Sequence, residues 1–342
     1  MSNPRSSQLR DTPDPGDALY TRPAGRPGPD GQYAALREGA ALVDLSHKTL
    51  LRLAGEKSAE MLNAVLTNDV PAEESRGVYA LLLNPKGRVQ ADLRILKSGE
   101  SLLIAAEPEG TASAKELLGR YAPFYRIQLE DLSETDEPWG ILGLYGPLAA
   151  DLLDGLELAE HKTAGITVGD TAVLAAGVAV PVPGYDILGP ADALVAVREH
   201  LAGRGAVPAG PNAYETVRVE AGVPRFGSDI TPENFPAEAG ILQRAVSFEK
   251  GCYPGQETVA RMHYRGHPNK TLHRLVVQGE PPAPGAPIVQ NGKRVGMITS
   301  VAPMPINGRI MALGYLSRSA DTGGELRVDE STVSLLNAGE DT

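Results

Sequence analysis

Short segments with strand-like and helix-like hydrophobic periods alternate irregularly through residues 32–270. Apolar residues recur every three or four positions in residues 59–66, as in an amphipathic helix, and the apolar runs 49–53 and 78–83 are typical of strands. The order lacks the regular strand–helix–strand rhythm of a doubly wound parallel sheet. We therefore predict an α+β fold in which helices pack on mixed sheets.

A β-hairpin is the most specific local prediction. Two apolar runs, 78–83 and 89–96, flank the sequence NPKG at residues 84–87. The proline presets a turn dihedral and the glycine supplies a positive one, as a tight turn requires. The second run contains the pair Ala91-Asp92, so a carboxylate is predicted on this strand.

The chain of 342 residues is long enough for two or three domains, each with its own apolar core. Residues 1–31 are rich in proline, glycine, serine and aspartate and are predicted to form a flexible tail. From about residue 271 the pattern consists of short strands, which predicts an all-β terminal module. The remaining predicted units are α+β domains at residues 32–132 and 133–270, followed by the all-β module at 271–342.

The charge balance limits the classes of partner. Asp and Glu number 43 against 32 Lys and Arg, and the net charge of -11 disfavours general nucleic-acid binding. No run approaches the roughly 18 apolar residues of a membrane helix, and no apolar stretch follows the N-terminal charges, which argues against insertion or export. The single cysteine, Cys252, excludes an internal disulfide and fits a cytoplasmic location.

Residues 212–222 are predicted to form a helix close to the candidate chemistry. Asn212 is the expected N-cap, Glu215 follows it three residues later as in a capping box, and Gly222 offers a left-handed stop. Glu220 then lies in the last turn, where the helix dipole disfavours a carboxylate by about 0.3 to 1 kcal/mol.

Glu220 is therefore expected to have a partner that donates hydrogen bonds. One candidate is a salt bridge to Arg218 or Arg225, which would make the residue structural. The other is a ligand such as a pterin, whose amino group and adjacent ring N–H can both donate to one carboxylate. The residues alone leave both interpretations open.

Cys252 is predicted to lie in an ordered turn, because glycines and a proline surround it in the sequence GCYPG. Lys250 lies two residues away, and a nearby cation favours the thiolate, which reacts with electrophiles and metals. An isolated cysteine is also often a small buried hydrophobic residue. Both interpretations of Cys252 remain open at this point.

His263 and His267 have the four-residue spacing that places two imidazoles on one helical face, and the cysteine could add a third metal ligand. A glycine and a proline between and after them interrupt the helix, so we predict no metal site and favour surface or ligand-tail roles. Arg261 and Arg265 add positive charge nearby, which suits an anionic ligand tail or simply a solvated face.

Two segments carry a resemblance to known families. The sequence KGCYPGQE, residues 250–257, closely resembles the signature of the folate-binding YgfZ family, and RVEAGVPRFGSDI, residues 218–230, resembles a segment shared with the glycine-cleavage T-protein. Residues 44–69 are similar to the N-terminal region of both, and the sequences GYD at 184–186 and VGMITS at 295–300 continue the resemblance. It covers nearly the whole chain except the first thirty residues and the last dozen.

The resemblance implies two α+β domains related to the ferredoxin-like topology and a C-terminal β-barrel, arranged as a ring around a central tetrahydrofolate site. It implies that Glu220 holds the pterin and that Cys252 is the signature thiol. With Asp92, Cys252 is a candidate for catalysis. The further candidates for cofactor binding are Arg218, Lys250, Tyr253, Gln256 and Arg261.

One departure from the T-protein pattern bears on function. The T-protein has two adjacent aspartates where this chain has Ala91-Asp92, and a carboxylate is needed there to position the folate nitrogen. We therefore expect a tetrahydrofolate-binding accessory factor for iron–sulfur cluster assembly or repair, which supports tRNA-modifying iron–sulfur enzymes and has iron–sulfur clients or assembly proteins as partners. The alternative is a folate-dependent aminomethyltransferase of the T-protein type.

Overall fold

The computed structural model describes residues 28–71 and 75–336. These residues form two mixed or antiparallel sheets with helices and a closed six-stranded barrel, which confirms the predicted α+β fold with a C-terminal barrel. Of the predicted tail, residues 1–27 lie outside the described residues. The first helix begins at Pro29, earlier than predicted, because proline is favourable in the first helical turn.

The first nine elements run from the N-terminal helix to the end of the first sheet. They are α1 (Pro29–Glu38), β1 (Ala41–Asp44), β2 (Thr49–Ala54), α2 (Ser58–Val65), β3 (Val78–Leu83), β4 (Val89–Ser98), β5 (Ser101–Ala106), α3 (Pro108–Tyr125) and β6 (Gln128–Asp131). Five of the strands form an antiparallel sheet in the order β3-β4-β5-β2-β6. Apolar residues of α2 and α3 pack against it.

The predicted hairpin joins β3 and β4 of this sheet. The carbonyl of Asn84 accepts the N–H of Gly87 at 2.9 Å. Gly87 has a φ of 81°, so the turn uses the dihedral that glycine was predicted to supply. The hairpin prediction is confirmed.

The second sheet has six strands in the order β11-β1-β7-β10-β9-β8. Its later strands and the helices between and after them are β7 (Trp139–Tyr145), β8 (Thr163–Val168), β9 (Thr171–Val178), β10 (Gly184–Pro190), α4 (Ala191–Gly203), β11 (Val207–Ala209) and α5 (Pro211–Glu220). Strand β1 pairs with β7 and β11 in this second sheet, whereas β2 to β6 form the first sheet. Residues 32–132 therefore do not build one sheet by themselves, and the predicted unit boundaries stay predictions.

Up to residue 336, the remaining described residues contribute two helices and the barrel. These elements are α6 (Leu242–Ala245), α7 (Gln256–Arg265), β12 (Lys270–Gln278), β13 (Pro287–Gln290), β14 (Lys293–Val301), β15 (Ile310–Ser317), β16 (Leu326–Val328) and β17 (Ser331–Leu335). The barrel order is β12-β15-β14-β13-β16-β17, and closure leaves no unpaired sheet edge. Aliphatic residues such as Leu275, Ile288 and Ile298 fill its interior.

No helix in the described part of the chain is long and apolar enough to span a bilayer.

Candidate functional site

A cavity of about 1340 Å³ lies between the two sheets, α5 and α6. It exceeds the roughly 300 to 1,000 Å³ of ordinary ligand pockets, so a ligand of considerable size fits in it. The charged residues of its lining are Asp44, Lys48, Asp92, Arg94, Glu107, Glu160, Asp186, Glu215, Arg218, Arg225 and Arg244. Both sheets contribute, and no single stretch of sequence builds the site.

One ion pair in the cavity wall joins the two sheets. Arg94 on β4 donates to the carboxylate of Asp186 on β10, and it also donates to Nδ1 of His161 at 3.2 Å and to the carbonyl of Gly177 at 2.7 Å. The hydroxyl of Tyr145 donates to the same aspartate. Burial and the two nearby arginines lower the pKa of His161 to about 3, so this imidazole is neutral and accepts a hydrogen bond.

A second pair joins Lys48 and Glu107 beside the end of β5. The ammonium Nζ of Lys48 lies 2.8 Å from Oε1 of Glu107, and Nε2 of His47 lies 4.0 Å from the other oxygen. Burial disfavours the charged form of Glu107, but the ion pair and hydrogen bond with Lys48 outweigh it and hold the pKa of Glu107 below its ordinary value. Glu107 is therefore a fixed negative charge in the wall.

The guanidinium of Arg218 holds a third carboxylate in place. It donates to both oxygens of Glu215, at 2.8 and 2.6 Å, and to the carbonyl of Val223. It also donates to the buried carboxylate of Asp229 at 2.7 Å and to the hydroxyl of Ser300 on the barrel at 2.8 Å. An arginine has five N–H donors, and all five are used, so Arg218 fixes Glu215 and has none left for a ligand.

Asp92 differs from these paired carboxylates. It accepts a hydrogen bond from the hydroxyl of Tyr79 at 3.0 Å, and among the described residues no ion pair to it is formed. Burial and the negative charge of Glu107 raise its pKa to about 6, although Lys48 and the Tyr79 hydrogen bond oppose the rise. Asp92 thus resembles a general acid or base, whose pKa lies close to neutral pH.

The strand alternation explains why Ala91 precedes Asp92. Successive side chains of a strand point to opposite faces, so Asp92 lines the cavity while Ala91 is buried in the core beneath α3. A Cβ added at Gly110 would lie 2.9 Å from the Cβ of Ala91, so the contact with α3 leaves little room for a larger side chain. The carboxylate that this chain keeps is the one that faces the cavity.

Comparison with known proteins decides the family. Residues 26–250 match the GCVT N-terminal domain, and residues 270–334 match the glycine cleavage T-protein C-terminal barrel domain. The chain belongs to the glycine-cleavage T-protein family. An aminomethyltransferase of Saccharopolyspora erythraea is 30% identical over 96% of this chain and 95% of its own length.

Other relatives of this T-protein family member agree with that assignment. An aminomethyltransferase of Moorella thermoacetica is 28% identical over 87% of this chain and 84% of its own length, and a putative chloroplastic transferase of Arabidopsis thaliana is 27% identical over 90% and 72%. The crystal structure of the glycine cleavage system aminomethyltransferase T from Bartonella henselae has a TM-score of 0.80 and 24% identity, and the match covers 92% of this chain and 90% of that one. This structural match supports the fold.

Glu220 of this family member lies outside the cavity lining. The hydroxyl of Tyr33 on α1 donates to its two carboxylate oxygens at 3.1 and 3.0 Å, and Arg37 lies 4.0 Å away. The expected donor partner is therefore present, but it comes from α1 rather than from Arg218 or Arg225. The structure brings Glu215, not Glu220, to the cavity.

The start of α5 also differs from its prediction. Gly210 is the N-cap and Pro211 occupies the first turn, so the predicted cap at Asn212 is wrong. Proline is favourable there because its missing N–H would have no helical partner anyway. The predicted stop is confirmed, since Gly222 has a φ of 70°. Glu215 is therefore not part of a capping box, and its carboxylate pairs with Arg218.

The KGCYPGQE segment lies apart from the cavity. Cys252 is exposed. The ammonium of Lys250 donates to the carbonyls of Leu66 at 2.7 Å and Asn68 at 3.0 Å, and burial lowers its pKa to about 8. Lys250 thus ties the segment to the end of α2.

The other predicted binding residues of this region differ from one another in burial and position, and none lines the cavity. Tyr253 is buried, which raises its pKa to about 12, while Gln256 opens α7 and Arg261 lies on its exposed side. No residue between 250 and 261 belongs to the cavity lining. His263 stacks on Phe248 with ring centroids 4.1 Å apart.

Sequence reasoning missed most of the paired cavity residues. Lys48 and Glu107 are single charges at the ends of apolar runs, and Arg94 lies within one. Each has the ordinary appearance of a solvent-facing residue on a half-buried strand. The signal that could have found them is their position beside Asp92, on its own strand or on the neighbouring chain segments, which requires the sheet register.

Proposed function

We propose that the central cavity binds a tetrahydrofolate-type ligand and that the protein is a folate-dependent one-carbon transferase of the aminomethyltransferase type. The observation that carries this proposal is Asp92, a cavity-facing carboxylate with a raised pKa and no ion pair to any residue that the structure describes. The family of the chain and its aminomethyltransferase relatives favour the same activity. The Ala91-Asp92 pair does not argue against it, because the position of Ala91 faces the core.

The donors and acceptors of the lining fit a folate. A pterin presents an amino group beside a ring N–H, and a carboxylate held in one orientation accepts both hydrogen bonds. Glu215 is such a carboxylate, since Arg218 fixes it. The acidic tail of a folate suits Arg225 and Arg244, whose side chains are 38% and 39% exposed at the cavity. This supports Glu215, rather than Glu220, as the residue proposed for the pterin contact.

The chemistry needs a proton acceptor in the cavity. A bound tetrahydrofolate supplies the nitrogen nucleophile that accepts a one-carbon unit. Asp92 orients the N–H of that nucleophile and takes its proton, while Tyr79 keeps the carboxylate in position through its hydrogen bond. The ion pairs around Asp92 are fixed before binding, so the site is preorganised.

Calorimetric titration with 5-formyltetrahydrofolate tests the binding site. We expect wild-type protein to bind, Glu215→Gln to weaken binding by about tenfold or more, and the matched variant Glu220→Gln to change it little, since one charge-assisted hydrogen bond is worth about 1.5 to 3 kcal/mol. If Glu220→Gln is instead the weaker binder, the contact implied by the resemblance is right and ours is wrong. A wild-type protein that does not bind refutes the proposal.

A second candidate function rests on the exposed thiol. Cys252 lies outside the cavity within a segment that resembles the YgfZ signature, so its chemistry is separate from that of Asp92. An accessory function in iron–sulfur cluster assembly or repair would use this thiol. The two candidates are compared in cells that lack the native copy, by the activity of a tRNA-modifying enzyme with a four-iron cluster. Loss with Cys252→Ser but not with Asp92→Asn favours the accessory function, and the reverse favours the transferase.

A further inference from the structure

Three charged residues lie at one end of the five-stranded sheet: Asp92 within β4, Glu107 one residue after β5 and Lys48 one residue before β2. The register pairs Ala106 of β5 with Leu93 of β4 on one side and with Thr49 of β2 on the other. Continued by one residue, the same register places Glu107 opposite both Asp92 and Lys48. Directly opposite residues of neighbouring strands have Cβ atoms about 4.5 to 5.5 Å apart.

All three side chains line the cavity. Two negative charges directly opposite each other destabilise a sheet, and one lysine can compensate only one of them. The ammonium Nζ of Lys48 forms an ion pair with Oε1 of Glu107 at 2.8 Å, whereas Asp92 has the hydroxyl of Tyr79 as its partner. These three residues therefore have one negative charge more than they have cations.

The conformation of Glu107 also indicates a function in the cavity. It is the N-cap residue of α3, yet its side chain makes no capping hydrogen bond. Aspartate, asparagine, serine and threonine are the residues that ordinarily cap a helix with their side chains, and the longer glutamate is not among them. The carboxylate of Glu107 is instead directed to Lys48 in the cavity.

We propose that Asp92 and Glu107 act as a carboxylate pair in which Glu107 is a positioning residue that strengthens Asp92 as a proton acceptor. Tyr79 donates to Oδ2 of Asp92, which leaves Oδ1 to accept a proton. Asp92 can then take a proton from a ligand nitrogen at Oδ1 and return it in the reverse step, with nothing else consumed. The use of the pair in transfer rests on the proposed function, but the pairing itself does not.

The ionisation of both groups agrees with the pair. Burial and Glu107 raise the pKa of Asp92 to about 6, while Lys48 opposes the rise, and Glu107 itself stays ionised. Burial lowers the pKa of His47, so this imidazole adds no fixed charge near neutral pH. Several titratable or charged groups face the pair from the elements packed around it. They are Tyr79 from β3, His47 and Lys48 from the turn before β2, Tyr214 and Glu215 from α5, Arg225 from the segment after α5 and Arg244 from α6.

The test is a carbon-13 NMR titration of the full chain labelled in aspartate carboxyls, with Asp92 assigned by Asp92→Asn. We expect a midpoint near 6 in wild type. Glu107→Gln should lower it by about one unit, a tenfold change in the acid constant, because the opposing negative charge is gone. Lys48→Met should raise it, because the cation that opposes the rise is gone. The control Glu116→Gln, an exposed residue of the same helix, should leave it unchanged.

Opposite shifts in the two variants cannot come from a general loosening of the fold. An unchanged midpoint in Glu107→Gln overturns the pair, and if that variant does not fold, an unchanged midpoint in Lys48→Met overturns it equally. The readout needs no ligand. If the midpoints shift as expected but no folate binds, the pair stands and the proposed function fails.

Discussion

The cavity and the KGCYPGQE segment, residues 250–257, carry their chemistry in opposite ways. In the cavity, three carboxylates from distant parts of the chain, Glu107, Asp186 and Glu215, are held by buried or half-buried cations, and both sheets contribute. In the segment, one exposed thiol follows a lysine that is bound to backbone carbonyls. The first region is built by the whole fold, while the second is a short piece of chain on its surface.

This difference indicates which substitutions would impair each region. A cavity assembled from distant residues depends on the packing of both sheets and the barrel, so substitutions far from the ligand can disturb it. The thiol of Cys252 is exposed, although its neighbours Lys250 and Tyr253 contact the rest of the fold. Substitution of Cys252 alone should therefore leave the rest of the protein intact.

The largest expected effect concerns Asp92 and would show directly that the two regions differ. Asp92→Asn removes the proton acceptor but keeps the shape of the side chain, so the rate of one-carbon transfer should fall by about 10² to 10⁴. The measurement is formation of methylenetetrahydrofolate from an aminomethylated carrier protein. Asp170→Asn, on an exposed turn, is the matched control. Wild-type rates in Asp92→Asn would remove the cavity from the reaction.

Arg218 tests how far the cavity depends on the barrel. Arg218→Met leaves the fully buried carboxylate of Asp229 without its cation, and breaking such a pair costs about 3 to 5 kcal/mol of unfolding free energy. Chemical denaturation measures this loss. Arg120→Met removes an exposed pair on α3 and should cost less than about 1 kcal/mol. Equal losses in both variants would mean that the contacts of Arg218 to the barrel carry no special stability.

The sequence predicted the fold better than the site. The hairpin at residues 84–87 and the stop at Gly222 could be predicted because turn chemistry is local. The partnership of Glu107 with Lys48 could not, since it depends on the register between strands that are distant in the chain. Glu220 illustrates the same limit, because its need for a donor could be read from the helix end while its partner on α1 could not.

The stability of Asp92→Asn should show the cost of the raised pKa. A carboxyl whose pKa is about 6 in the folded protein and about 3.9 in the unfolded chain stabilises the fold below pH 4, and this contribution is lost as the pH rises through 6. The amide does not titrate, so at pH 8 Asp92→Asn should be more stable than wild type by about 1 to 3 kcal/mol. Denaturation at both pH values measures the difference, which should disappear near pH 4. A variant less stable than wild type at pH 8 would contradict the raised pKa.

The smallest expected effect concerns the independence of the exposed thiol. Cys252 should react with a disulfide reagent in the native protein, and 5-formyltetrahydrofolate at saturation should change the rate by less than about twofold, because the thiol lies outside the cavity. The substitution Asp92→Asn should likewise leave the rate at which Cys252 reacts unchanged. A strong protection of Cys252 by the ligand would show that the segment closes over the cavity when the ligand binds. The two regions would then form one site, and the thiol would have to be included in the mechanism of transfer.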